Sequence, residues 1–181
     1  MNEYGNIWAV IVSVRHKKVV ELVKQAIAIG INPIRIIVVT NRDKTNTLTS
    51  LGVPPENILD KDPVDCRKEA AKAAKGMETV GYAGALIKGA EKVVQYDPGA
   101  TLVNLSSEYK GNLADVSDLI LSATLMVRRA NTVIIGSTET EDGIAIWRVE
   151  SLITAVTNGS IKKKGTKFKD LTAKLSQLTI L

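Results

Sequence analysis

The sequence predicts an α/β chain: a Rossmann-like, mostly parallel sheet with helices on both faces and a short C-terminal helical extension. Three observations predict it. Short β-rich apolar runs alternate with stretches whose apolar residues recur every three or four positions. Residues 7–40 read as one strand–helix–strand unit, expected to be parallel with a right-handed crossover. At two places, after residue 12 and after residue 105, an apolar run gives way to a polar turn that opens a helical pattern. In open α/β sheets, such turns at the carboxyl ends of strands are where ligands bind.

The elements follow in order. Residues 7–14 are a nearly continuous apolar run and read as a buried strand. Val19, Leu22, Val23, Ala26 and Ile27 then give a helix over 17–29, closed by Gly30 with a turn at Asn32-Pro33. Residues 34–40 are a second buried strand, ended by Asn41-Arg42-Asp43-Lys44. Residues 44–51 are a short helix or loop, and 57–60 a brief edge strand. Residues 65–75, rich in Ala, Lys and Glu, read as a helix. So do residues 80–95, despite Gly81, Gly84 and Gly89. A strand over 101–105 leads to a helix from Asn112 to about Arg129, with Leu113, Val116, Leu119, Ile120, Ala123 and Val127 on one face. Strands are expected over 132–136 and 144–149, and helices over 151–157 and 166–178. Residues 1–150 form the ligand-binding domain of this reading, and 151–181 the basic extension.

Composition narrows the function classes. Six Lys against one Asp from Ser151 onward account for the whole net charge of +5, so the rest of the chain is neutral. A basic tail of this kind is no domain-wide nucleic-acid surface, and direct DNA binding is not expected. Seven aromatic residues leave little for stacked-base platforms. The single Cys66 excludes an intrachain disulfide and fits a reducing compartment. Glu3 and Asn6 ahead of a short apolar run do not read as a signal peptide, and no run is long enough to span a bilayer. A cytoplasmic protein with no membrane partner is expected.

The chemistry-bearing residues cluster at the two junctions. At the first, Ser13-Val14-Arg15-His16-Lys17-Lys18 places a hydroxyl and several cations at a helix start, where they oppose the helix dipole. A bound anion is one reason to accept that cost. At the second, Asn104, Ser106, Ser107, Glu108, Tyr109, Lys110 and Gly111 precede a helix whose free N–H groups would suit a phosphate. His16 is the only histidine, and no set of His, Cys and carboxylates has metal-ligand spacing, so neither metal nor cofactor is expected. Gly-x-x-x-x-Gly-Lys-Ser/Thr and a Gly-x-Gly-x-x-Gly after the first strand are both missing. Tyr82-Ala-Gly-Ala-Leu reads as close helix packing. Glu139, Glu141 and Asp142, ending in Asp142-Gly143 between two strands, read as a hairpin turn.

The two junctions together resemble the CRISPR-associated Rossmann fold, the CARF domains that sense cyclic oligoadenylates. In that family a polar loop follows the first strand, and a second signature, roughly Asn-x-Ser/Thr-Gly-Gly-x-Lys, runs from a later strand into a long helix. Here Asn104-Leu105-Ser106-Ser107-Glu108-Tyr109-Lys110 stands in that place, with Ser107-Glu108 where the family has paired glycines. A strand ending in Thr40-Asn41 also fits. The likeness covers residues 7 to about 150 in layout and 104–110 in motif.

What the resemblance implies is a homodimer that binds cyclic oligoadenylate across its two-fold axis. Freestanding family members of this size include ring nucleases, which cleave cyclic tetra-adenylate by attack of a ribose 2′-hydroxyl on the adjacent phosphate. On this reading Ser13, His16, Lys110, Lys164 and Lys167 carry the chemistry. Ser13, Val14, Arg15, His16, Lys17, Thr40, Asn41, Asn104, Ser106, Ser107, Glu108, Tyr109, Lys110 and Gly111 hold the ligand. Three alternatives stay open: a sensor that binds without cutting, a Rossmann-like protein for a mononucleotide or sugar phosphate, and a basic-tailed nucleic-acid binder.

Overall fold

The computed structural model describes residues 7–12, 16–40, 46–60, 81–106, 111–127, 132–135, 144–161 and 178–180. Its strands are β1 (Ile7–Val12), β2 (Ile36–Thr40), β3 (Ile58–Asp60), β4 (Thr101–Ser106), β5 (Thr132–Ile135), β6 (Ile144–Arg148) and β7 (Leu178–Ile180). Its helices are α1 (His16–Ala28), α2 (Thr47–Ser50), α3 (Gly81–Tyr96), α4 (Ser117–Met126) and α5 (Val149–Thr157). The strands form one sheet in the order β3-β2-β1-β4-β6-β5-β7. β6 runs antiparallel to its neighbours β4 and β5, and every other pairing is parallel. The α/β, Rossmann-like class is therefore observed.

Alternation along the strands divides the core into two apolar layers. Ile7, Ala9, Ile11, Ile36, Val38, Val103 and Leu105 face α1 and α4, which supply Leu22, Val23, Ala26, Ile120 and Ala123. Trp8, Val10, Ile37, Val39, Leu102, Ala145 and Trp147 face α3 and α5, which supply Leu86, Ala90, Val93 and Leu152. Strands buried on both faces need apolar residues at every position, which is why β1 reads as an unbroken apolar run. Ile161 lies in the same layer as α3 and α5, and β7 adds to the edge of the sheet, so the described residues beyond 150 share the core and sheet of the rest.

α3 sits very close to the sheet. A Cβ on Gly89 would come within 2.6 Å of Val10 Cγ1. Gly89, which weakens this helix on propensity, thus permits its packing, and Gly84 is buried as well. In the last turn Tyr96 stacks on Trp8 with ring centroids 5.4 Å apart, and Lys92 Nζ lies 5.2 Å from the Tyr96 centroid.

Several expected boundaries shift, each for a local reason. Ile34 and Arg35 belong to a 3-10 turn, Pro33–Arg35, because Pro33 fixes φ and Asn32 Oδ1 accepts from Ile34 N at 3.1 Å. The helix expected from Asn112 begins as a 3-10 turn, Leu113–Val116, and Val149 opens α5 instead of closing β6. Leu119 is 42% exposed and lies off the face on which Ile120, Ala123 and Val127 are buried. Leu178 opens the strand β7, which corrects a helix running to 178; residues 166–177 of that helix and the helix expected over 65–75 lie outside the described residues. Among the described residues, no helix is long and apolar enough to cross a membrane.

Candidate functional site

The site starts from one register. β1 and β4 pair in parallel from Ile7↔Thr101 to Val12↔Ser106, so both strands end at the same level and side by side. Thr40 ends β2 one residue beyond Val39, the partner of Val12, and Asp60 ends β3 opposite Thr40. From β1 the chain crosses to β2 on one side, whereas β4, β6 and β5 lie on the other, so the strand order reverses between β1 and β4. That boundary is where open α/β sheets bind ligands.

Two helices begin at this edge. α1 follows β1 directly, starting at His16. α3 runs antiparallel to β1, since Tyr96 lies on Trp8 and Gly89 on Val10, and its start at Gly81 therefore points past Val12. They lie on opposite faces of the sheet, and neither has an acidic residue in its first turn. The positive ends of two helix dipoles thus meet the edge, and no carboxylate in either first turn offsets them. Lys17 adds an exposed ammonium, and Lys18 Nζ lies 3.7 Å from Glu21 Oε2 on the same helix.

The second junction differs from the sequence expectation. The helix start after β4 holds no free N–H groups at its first two residues. Leu113 N donates to Gln25 Oε1 at 3.0 Å, and Ala114 N to Asn112 Oδ1 at 3.0 Å. Asp115 N reaches Asn112 O at 3.0 Å. Asp115 and Asp118 occupy the first turns of the 3-10 segment and of α4, and their charges already complement the dipole. The asymmetry is clear: the α1 start is basic, and the start beyond β4 is capped and acidic.

Other candidate residues resolve as follows. Asn104 is fully buried, paired between Val10 and Ala145 in the middle of the sheet, and Thr40 is 1% exposed. Neither side chain is offered to solvent, because the sheet around them is covered on both faces. His16 opens α1, Ser106 ends β4 and Gly111 is exposed. Ser13, Val14, Arg15, Asn41, Ser107, Glu108, Tyr109, Lys110, Lys164 and Lys167 lie outside the described residues, as do Glu139, Glu141 and Asp142. The antiparallel pair Ile135↔Ile144 fits the hairpin between β5 and β6. Among the described residues, no group of three His, Cys, Asp or Glu is placed to hold a metal. Sequence reasoning missed Gln25. Its partner Leu113 is 88 residues away, and nothing local marks a half-buried glutamine as a cap.

No protein-family profile matches this chain, and no curated protein matches its sequence.

Proposed function

We propose that this chain binds cyclic oligoadenylate, cyclic tetra-adenylate above all, at the carboxyl edge of the sheet over β1 and β4, and cleaves it. The observation that carries the reading is the register Val12↔Ser106 together with two helix starts free of acidic residues. A ligand seated there meets the first and second junctions at once, in a field that favours phosphate. The resemblance of residues 104–110 to the CARF signature supplies the ligand class.

In the proposed reaction a ribose 2′-hydroxyl attacks the adjacent phosphorus in line and the bond to the 5′-oxygen breaks. The 2′-proton passes to a base, the 5′-oxygen takes up a proton, and a 2′,3′-cyclic phosphate end remains. Ser13 orients the ribose or phosphate, Lys110 pairs with the phosphate, and His16 moves the proton. Lys164 and Lys167 stabilise the developing negative charge. Two copies of the chain would enclose the ring across a two-fold axis.

The test is incubation of the protein with cyclic tetra-adenylate in EDTA, followed by chromatography. Linear products with cyclic phosphate ends are expected, and Ser13→Ala or Lys110→Ala should slow their formation by about 10²–10³. Full activity in both variants would remove their assigned roles. A second reading, a sensor that binds without cutting, is favoured by the engaged amides of Leu113 and Ala114, which withdraw two donors from a phosphate. Tight binding of an uncleaved ring would select it. No binding at all would end both readings and leave a mononucleotide or sugar phosphate to be tried.

A further inference from the structure

We propose that Gln25 is a positioning residue for the second junction: its side-chain oxygen holds the Leu113 N–H and so fixes where the chain enters its helix after leaving β4. The inference rests on the reading of this edge as a ligand site, because it assigns that site a supporting residue outside the loops.

The chemistry fixes the amide's direction. A glutamine carboxamide can present either its oxygen or its NH2 group to a neighbour. Leu113 N–H can only donate, so it requires Oε1, which lies 3.0 Å away. Glu21 Oε1, 3.3 Å from Gln25 Nε2 and one turn earlier on α1, takes the other end. A carboxylate can only accept, so both neighbours demand the same orientation. Lys18, 3.7 Å from Glu21 Oε2, holds that carboxylate in turn.

The geometry makes the bond matter for the loop. Leu113 is fully buried in the layer that α1 and α4 share, whereas Gly111 and Asn112 are exposed. Gln25 is half-buried on α1, the helix that begins at the first junction. The tether therefore joins the exit of the second junction to the body of the helix that follows the first. Asn112 caps Ala114 from within its own turn and cannot register that turn against α1. Gln25 is the described side chain that does so by a hydrogen bond, and a displacement of its oxygen shifts Leu113 and the two residues before it.

Amide hydrogen exchange, read residue by residue, tests this with three proteins. Gln25→Met keeps length and helix propensity but removes the acceptor; the Glu variant, Gln25→Glu combined with Glu21→Gln, keeps an acceptor for Leu113 N–H and a donor beside it without setting two carboxylates together. Exchange at Leu113, Gly111 and Asn112 should be about tenfold faster in the Met variant and return to normal in the Glu variant. In the same samples, affinity for cyclic tetra-adenylate should fall several-fold in the Met variant and recover in the Glu variant, with thermal midpoints nearly equal. Unchanged exchange at Gly111 and Asn112 in the Met variant would overturn the proposal. So would equal ring affinity in all three proteins. If the wild-type chain does not bind the ring, the proposed function falls, and the exchange pattern alone decides whether Gln25 positions this junction.

Discussion

Gly89 shows how one residue settles a conflict between propensity and packing. In a helix interior alanine is favoured over glycine by up to about 1 kcal/mol. Here the added methyl would stand 2.6 Å from Val10 Cγ1, on a β-branched side chain that is fully buried and has no flexible end to move aside. Overpacking of this kind costs about 1–3 kcal/mol, so after the propensity gain Gly89→Ala should destabilise by up to about 2 kcal/mol net. Equilibrium denaturation checks it, and a stabilised variant would show that α3 can lift from the sheet. The sequence marks the glycines as unusual for a helix but cannot say which one meets a strand, because Val10 is 79 positions away. Asn104 is the reverse case. Its place before Ser106 and Ser107 reads as a ligand contact, and the register adds a depth that the motif does not give, beside Val10 and Ala145 and two residues inside the strand's end. Motif reading places a residue along the chain, and only pairing places it in depth.

At the scale of elements, periodicity resolves existence and type well and the exact buried face less well. Leu119 and Ile120 are neighbours 100° apart on α4, and both fit an apolar stripe drawn through Val116 and Ala123. The sheet chooses Ile120, which is fully buried, and leaves Leu119 at 42% and Leu125 at 64% exposure. Ile120→Ala should therefore cost about 2–5 kcal/mol, whereas Leu119→Ala should fall within about 0.5 kcal/mol of the parent. Urea midpoints of the two variants test the assignment, and comparable losses would refute it. The same limit explains the capped start of the segment after β4. Asn112 is legible as an N-cap from its type and position, and the structure gives it that bond. The Gln25 bond is not legible, since it depends on how α1 and the 3-10 segment pack. Leu178 fails for a related reason: its spacing from Phe168, Leu171 and Leu175 is helical, but the open edge of β5 offers a strand pairing that no local pattern records.

For the whole molecule, the informative feature is that α1 and α4 share a face. β2 and β5 lie on opposite sides of the β1–β4 pair, so the crossovers β1–α1–β2 and β4–α4–β5 have opposite hands. The connection from β3 to β4 reverses both direction and face, through α3, and so keeps the hand of the first. The unit from β4 to β5 is the exception to a rule that nearly all parallel crossovers obey. The insertion of β6 between its two strands sets it apart, because the antiparallel hairpin supplies the pairing that an adjacent parallel strand would give. The consequence is that the chain leaves both β1 and β4 toward the first layer, and among the described helices α3 and α5 cover the second. If the two layers form one cooperative unit, damage to the first must be felt in the second. Both tryptophans, Trp8 and Trp147, lie in the second layer and report on it by fluorescence, while far-UV circular dichroism reports on helices of both. Leu22 lies in the first layer on α1 and touches that core only. Leu22→Ala should cost about 2–5 kcal/mol. It should lower the midpoint by roughly 6–12 °C for a middle value near 3 kcal/mol. The two signals should move together, because a sheet shared by both layers leaves neither with a core of its own. A fluorescence midpoint that stays in place while the dichroism shifts would mean that α1 and α4, the helices that follow the two junctions, peel away first and are the least stable part of the fold.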